Sequence, residues 1–134
     1  MATIGVDNAL GIAPQALMLR GQRTSVLANN IANADTPGFK AQDFNFQQVL
    51  AAQTAQAADG VRLANTHSRH LAAASPQVDA NLQYRTPLMP SLDGNTVDTQ
   101  MEQAEFAQNS LMYLTSLRIL NGRITGMMGA IKGE

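Results

Sequence analysis

The chain has 134 residues, 45% hydrophobic and 14% charged, with a net charge of −1 and no cysteine. This length suits one domain and is too short for two. The near-neutral charge does not favour nucleic-acid binding by bulk electrostatics, and the lack of cysteine excludes disulfides and cysteine-based zinc sites.

A large share of the apolar residues is small. Alanine supplies 21 of them, whereas Leu, Ile, Val and Phe together supply 30, and there is no Trp. A deep single core is therefore not expected. Small apolar side chains suit helices that pack closely on one another or on the helices of a partner.

The N-terminal residues, Met1 to Asp7, contain neither a basic region nor an apolar run of the kind found in cleaved secretory signals. No window of the sequence approaches the roughly 18 apolar residues of a membrane span. We therefore expect neither a cleaved signal peptide nor insertion into a membrane.

Residues 7–35 predict the first long helix. Its heptad stripe is apolar at both ends and weak in the middle: Leu10, Leu17, Thr24 and Ile31 alternate with Ala13, Arg20, Leu27 and Ala34. Pro14 would clash inside a helix, so the helix is expected to start near it. Thr36 precedes Pro37 and Gly38, which suit a type II turn, so the predicted end is about Ala34 or Asp35.

Asn29, Asn30 and Asn33 are poor helix formers in the last turns of this helix. From their spacing alone, two interpretations are open. They are either an ordinary fraying helix end, or a polar seam that fixes register against a partner, as buried asparagines do in coiled coils.

The middle of the chain gives weaker signals. Three of the four phenylalanines fall within eight residues, from Phe39 to Phe46, so this stretch is expected to be docked. Residues 51–60 are rich in Ala and Gln and either continue as helix or remain loose. The runs 61–63 and 82–85 are candidates for short strands that pair across an irregular loop.

The C-terminal helix is the strongest prediction. Residues 99–102 fit a capping box, with Asp98 as the alternative N-cap. An apolar stripe with steps of three and four then runs nearly to the end of the chain: Phe106, Ser110, Tyr113, Leu117, Leu120, Ile124, Met127 and Ile131. Two heptad helices at the two termini are expected to pair with each other or with partners.

No constellation in the sequence supports catalysis. His67 and His70 are three apart, but no carboxylate or cysteine lies near them, so a solvated pair is expected in place of a metal site. Glu102 and Glu105 are explained as first-turn acids that complement the helix dipole. We expect no catalytic residues, no cofactor and no metal.

The run from Ala28 to Lys40 closely resembles the N-terminal signature shared by the axial proteins of the bacterial flagellum. The run from Tyr84 to Asp98, followed by residues 106–111 and Tyr113, resembles the flagellar basal-body rod proteins more narrowly, and within them those of the proximal rod. The resemblance covers nearly the full chain except residues 51–60.

This resemblance implies a mainly α fold, with the N- and C-terminal helices paired as an elongated coiled-coil-like hairpin and an irregular or short-β middle excursion. The expected segments of this single domain are residues 1–38, 39–95 and 96–134. The implied function is a structural subunit of the proximal rod, which assembles helically around the export channel. The implied partners are copies of itself, other rod proteins, the basal-body adaptor at the MS-ring and export gate, and the type III export apparatus.

Two sets of functional residues follow as hypotheses. The subunit interface is expected to use Leu17, Leu27, Asn29, Asn30, Ile31, Asn33, Phe106, Tyr113, Leu117, Leu120, Ile124 and Met127. Phe46 and Leu50 resemble the Phe-x-x-x-apolar element that rod and hook proteins present to the export gate, although packing against the hairpin explains them equally well. The heptads alone would equally support a helical-hairpin adaptor or an export-chaperone-like binding module.

Overall fold

The computed structural model describes residues 10–58, 81–87 and 91–133. In chain order the elements are helix α1 (Ala13–Ala32), strand β1 (Gln42–Asp43), helix α2 (Phe46–Ala58), strand β2 (Gln83–Tyr84) and helix α3 (Thr99–Lys132). The mainly α fold class is confirmed, as is the pairing of the N- and C-terminal helices around a short β excursion.

Helix α1 begins where the sequence indicates. Pro14 lies in its first turn, where the missing amide costs nothing. Just before it, Gly11 has a φ of 60°, and a β-carbon there would lie 2.7 Å from the Arg123 guanidinium. The end was misplaced: α1 stops at Ala32 with Asn33 as its C-cap, two residues before the expected Ala34.

Helix α3 is 34 residues long, about 51 Å, against 20 residues and about 30 Å for α1. Its N-cap is Asp98, whose carboxylate accepts from the amides of Gln100 and Met101, so the capping box expected at residues 99–102 is wrong and the alternative is right. Gly133, with a φ of 77°, ends the helix in the left-handed conformation typical of a C-terminal cap.

The two helices run antiparallel, and side-chain hydrogen bonds fix their register. Near one end, Arg123 Nη1 donates to the Leu10 carbonyl over 2.6 Å. In the middle, Asn109 Nδ2 donates to the Arg20 carbonyl and to Thr24 Oγ1, at 3.0 and 2.9 Å. The weak middle of the predicted stripe is therefore a polar part of the helix pair.

The hydrophobic core is small. Among the described residues, the buried apolar side chains are Ala13, Leu19, Leu27, Ala41 and Phe44. Buried polar residues stand beside them, namely Asn30, Asn95, Glu102 and Asn109. Polar contacts must therefore carry much of the specificity of this fold, because so little apolar surface is removed from water.

The middle segment packs on α1 through short elements. Strand β2 lies within the predicted 82–85 run, but its antiparallel partner is β1, with Gln42 opposite Tyr84. The other predicted strand, residues 61–63, and the His67–His70 pair lie outside the described residues. Residues 51–58 continue as helix α2, whose half-buried side is formed by Phe46, Val49, Leu50 and Gln53.

The predicted type II turn at Pro37 and Gly38 is present. Gly38 has a φ of 73°, and the Phe39 amide donates to the Thr36 carbonyl over 3.2 Å. None of the described helices has the length and apolar content that crossing a membrane requires.

Candidate functional site

The two sequence signatures meet in one place, which we call the joint: residues 33–41, just after α1, and residues 93–98, just before α3. Asn95 is its centre and is 6% exposed. Its Nδ2 lies 3.0, 2.7 and 3.0 Å from the carbonyl oxygens of Asn33, Ala34 and Thr36. These carbonyls follow the last turn of α1, so Asn95 holds the chain where it leaves the helix.

Backbone hydrogen bonds join the same two segments. The Gly38 amide donates to the Asp93 carbonyl over 2.9 Å, and the Thr96 amide donates to the Phe39 carbonyl over 3.0 Å. The Thr96 hydroxyl accepts from the Ala41 amide at 2.8 Å. Hydrogen bonds of main-chain groups therefore connect the two segments of the joint on both sides of the Asn95 side chain.

Asn30, in the last turn of α1, is fully buried and binds the main chain of β1. Its Nδ2 donates to the Gln42 carbonyl over 2.7 Å, and its Oδ1 accepts from the Gln42 amide at 3.1 Å. Because its amide serves both backbone groups of one residue, it acts as a strand partner for Gln42. A further bond from Nδ2 reaches Glu102 Oε2 at 3.2 Å.

A charge cluster lies beside the joint, formed by Arg23, Asp43, Arg85, Glu102 and Glu105. Arg23 on α1 makes a bidentate pair with Asp43 on β1, with Nε to Oδ1 at 3.1 Å and Nη2 to Oδ2 at 2.8 Å. Its Nη2 also donates to Glu105 Oε2 over 3.0 Å. One guanidinium thus connects α1, β1 and α3.

Arg85 follows β2 and connects the same elements from the other side. Its Nη1 donates to Glu102 Oε1 over 2.7 Å, and its Nη2 donates to Asp43. Glu102 is only 1% exposed. Glu102 lies in the first turn of α3, as expected for an acid that complements the helix dipole, but Glu102 and Glu105 are also ion-pair partners of Arg85 and Arg23.

The ionisation of the cluster follows from these contacts. Burial raises the pKa of Asp43, but the hydrogen bonds from Arg23 and from the Phe44 amide lower it by more, so its pKa lies below the ordinary value. The hydrogen bond to Asp43 raises the pKa of Arg23, and burial opposes this only in part. Asp43 and Arg23 are therefore both charged at neutral pH.

Helix α2 contacts α1 through a different interaction. The guanidinium carbon of Arg20 lies 4.2 Å from the centre of the Phe46 ring, which is the geometry of a cation–π contact. Burial lowers the pKa of Arg20, and the neighbouring Arg23 adds to that effect. Phe46 and Leu50 are both half-buried, so the folded chain shields much of the expected export-gate element.

The residues expected at the subunit interface fall into three groups. Leu27 and Asn30 are fully buried within the chain. Asn29, Leu117 and Ile124 are exposed. The others are half-buried and lie along both helices: Leu17, Ile31, Asn33, Phe106, Tyr113, Leu120 and Met127. The structure describes a single chain, so the interface hypothesis stays a prediction.

The charge cluster was missed from the sequence. Its members come from four segments with no common spacing, and the only signal was the presence of Arg85 in the second signature. All its charges are paired with one another, and among the described residues no group of three His, Asp or Glu side chains is placed to hold a metal ion. The arrangement suits the holding of segments together.

Comparisons with known proteins agree with this arrangement. A family model described as "Flagella basal body rod protein" matches residues 10–40, which include α1 and the first half of the joint. This match places residues 10–40 in the flagellar rod class of proteins.

Curated relatives narrow the class. The chain is 51% identical to the "Flagellar basal body rod protein FlgB" of Aeromonas hydrophila over 132 residues, which cover 98% of each chain. It is 49% identical to the protein of the same name from Cereibacter sphaeroides (strain ATCC 17029 / ATH 2.4.9), covering 97% of this chain and 98% of the relative. For that of Escherichia coli (strain K12) the identity is 47%, over 95% of each chain. The chain belongs to the FlgB family of flagellar basal body rod proteins.

Proposed function

We propose that the chain is a structural subunit of the flagellar proximal rod, which assembles helically around the export channel as part of the drive shaft. One observation carries the proposal: the two signature runs, about 60 residues apart, form a single joint around the buried side chain of Asn95. Similarity to FlgB proteins along almost the whole chain supports it.

The proposal assigns the chain no catalytic activity, no cofactor, no small-molecule substrate and no nucleic acid. Its partners are copies of itself, other rod proteins, the basal-body adaptor at the MS-ring and export gate, and the type III export apparatus. Its place is the basal body, in the part of the rod that spans the periplasm, and it reaches that place without cleavage of a signal peptide or insertion into the membrane.

Exposed apolar side chains on α3 support an assembled subunit over a monomeric protein. Leu111, Leu114, Leu117, Ile119 and Ile131 are all more than 40% exposed on this one helix. Isolated exposed apolar residues are ordinary, but several along one long helix indicate that more than one of its faces is covered by other protein. Two of the expected interface residues on α3, Leu117 and Ile124, are exposed in this way, at 43% and 38%.

The decisive experiment asks where the protein resides. In the bacterium that encodes this chain, deletion of its gene should abolish swimming, a plasmid copy should restore it, and mass spectrometry should find the chain in purified basal bodies. A soluble chain in a one-to-one complex with a single partner, absent from basal bodies, would instead favour the adaptor or chaperone-like alternative.

The export-gate element gives a separate prediction. The variant Phe46→Ala/Leu50→Ala should reduce the secreted amount about tenfold, as expected when two apolar anchors worth at least 1.4 kcal/mol are removed from a recognition site. The measurement is the amount of chain secreted by cells that export but do not retain rod proteins.

Val49→Ala is the matched control, because Val49 is half-buried on the same side of α2 as Phe46 and Leu50. It should leave secretion unchanged, since Val49 occupies one of the three unspecified positions of the Phe-x-x-x-apolar element. Equal losses for Val49→Ala and the double variant would assign the effect to packing of α2.

A further inference from the structure

Helix α3 carries two exposed apolar strips. The leucine strip consists of Leu114, Leu117, Ile124 and Met128, which are 59%, 43%, 38% and 50% exposed. The methionine strip consists of Met101, Met112 and Ile119, at 36%, 44% and 51%. Each strip exposes side chains large enough to bury against a partner.

The strips lie on opposite flanks of the helix. Leu117 and Ile119 are two positions apart, as are Met112 and Leu114, and such a separation corresponds to about 160° around an α-helix. The side that faces α1 lies between the strips, where Asn109 bonds to Arg20 and where Tyr113 and Leu120 are half-buried. Both strips therefore remain accessible when the helix pair is formed.

The leucine strip borders a groove of about 540 Å³, lined by Leu114, Leu117, Arg118, Leu120, Asn121 and Ile124. Leu117 and Ile124 are seven residues apart, and so are Met112 and Ile119 on the other flank. This common spacing, about 10.5 Å along the axis, lets two side chains of the methionine strip enter the groove together. Methionine is well suited to this role because its unbranched side chain adapts to irregular gaps.

We propose that the leucine strip of one copy packs on the methionine strip of the next copy, with their α3 helices parallel. The inference rests on the proposed function, in which all copies point the same way. A contact between two different surfaces does not close on itself, so it adds copies side by side around a ring or a helix. A contact of the leucine strip with itself would end at a dimer.

The size of the contact indicates that it needs support from other contacts of an assembly. The matched parts of the strips, residues 112–124, span about 18 Å, and a helix is about 10 Å wide, which gives on the order of 200 Å² per copy. A stable dimer buries about 800 Å² per partner. The contact is therefore too small to hold two free copies together, and is expected where other contacts of the assembly add to it.

Cross-linking in assembled basal bodies tests this pairing. Because the chain has no natural cysteine, it can be cross-linked only at the cysteines that are introduced. The variants are Leu117→Cys, Ile119→Cys and the double variant, treated with a short flexible bismaleimide. The double variant should give a ladder of dimers and higher species, at least about tenfold above either single variant. Gly122→Cys is the control, because an added β-carbon there has no atom within 4 Å.

Each other outcome overturns the pairing. A dimer from Leu117→Cys alone would show that the leucine strip meets itself. Equal cross-linking by Gly122→Cys, or a double variant that is incorporated but stays uncross-linked, would place the contact elsewhere. If the double variant is not incorporated, Met112→Cys/Leu114→Cys repeats the test on the same two flanks. Incorporation of that variant without cross-linking would also place the contact elsewhere. Absence of the wild-type chain from basal bodies would instead contradict the proposed function.

Discussion

Replacing Arg85 with methionine should lower the free energy of unfolding by about 3 kcal/mol, the usual cost of removing one partner from a buried ion pair. The reason is the position of Glu102, which is 1% exposed and whose Oε1 accepts from Arg85 Nη1 at 2.7 Å. Without Arg85, the only hydrogen-bond donor that the carboxylate retains from outside its own helix, among the residues that the structure describes, is the amide of Asn30. Asp43 is affected less, since it keeps its bidentate pair with Arg23.

The measurement is urea unfolding followed by circular dichroism, and the double variant Arg85→Met/Glu102→Gln separates charge burial from lost packing. Removing the charge of Glu102 as well should restore at least about 1 kcal/mol relative to Arg85→Met alone, because the uncompensated carboxylate is gone. Arg118→Met changes an exposed arginine on α3 and should stay within about 0.5 kcal/mol of wild type. A double variant less stable than Arg85→Met would contradict this account.

The cluster also explains why the middle segment and the helix pair are expected to unfold together. Arg85 brings β2 to α3, and Arg23 brings β1 to both helices. The ion pairs of Asp43 and of Glu102 are both incomplete until the middle segment has docked on the two aligned helices. The register of α1 against α3 and the position of the excursion are therefore set by the same contacts.

The sequence predicted those features that depend on local chemistry. Pro14 marks the start of α1, Pro37 and Gly38 form the turn, and the steps of three and four predict α3. Each of these follows from residues close together in the chain, whose backbone preferences act before any tertiary contact is formed.

Features that depend on distant residues could not be predicted in the same way. The heptad stripe of α3 included Ser110, Leu117 and Ile124, whereas the fully buried positions are Glu102 and Asn109. Polar residues face α1 here because α1 offers the Arg20 carbonyl, the Thr24 hydroxyl and the Asn30 amide. An apolar stripe indicates which residues avoid water. When a helix belongs to an assembly, those residues can be buried either against its own chain or against another subunit, and the stripe alone does not tell which.

The asparagines of the first signature show the same limit. Their spacing left both a fraying end and a register-fixing seam open, and the structure gives the asparagines separate places. Asn30 binds Gln42 inside the chain, whereas Asn33 donates to the Asn29 carbonyl over 2.8 Å at the surface. The second signature contributes Asn95, whose importance depended entirely on where residues 33–36 lie in space.

Replacing Asn95 with alanine should lower the free energy of unfolding by about 2 kcal/mol. Its Nδ2 has two protons for three carbonyl oxygens, so the amide makes the equivalent of two hydrogen bonds to the end of α1, each worth about 1 kcal/mol. Amide exchange at Gly38 and Thr96 should accelerate with it, since both donate across the joint. Asn29→Ala, an exposed asparagine of the same signature, is the control and should change stability by less than about 0.5 kcal/mol.

Asn95→Asp provides the sharper test because it keeps the size of the side chain but replaces the hydrogen-bond donor Nδ2 with an oxygen, which is an acceptor. Its Oδ1 would still accept from the Val97 amide, as Asn95 does at 2.8 Å, but an oxygen would replace Nδ2 opposite the three carbonyls. Burying a carboxylate oxygen against acceptors should cost about 1–2 kcal/mol beyond the loss in Asn95→Ala. The order of stability should therefore be wild type, then alanine, then aspartate. An aspartate variant as stable as the alanine variant would mean that donation to the end of α1 is not what makes Asn95 important, and that the main-chain bonds of Gly38 and Thr96 hold the joint by themselves.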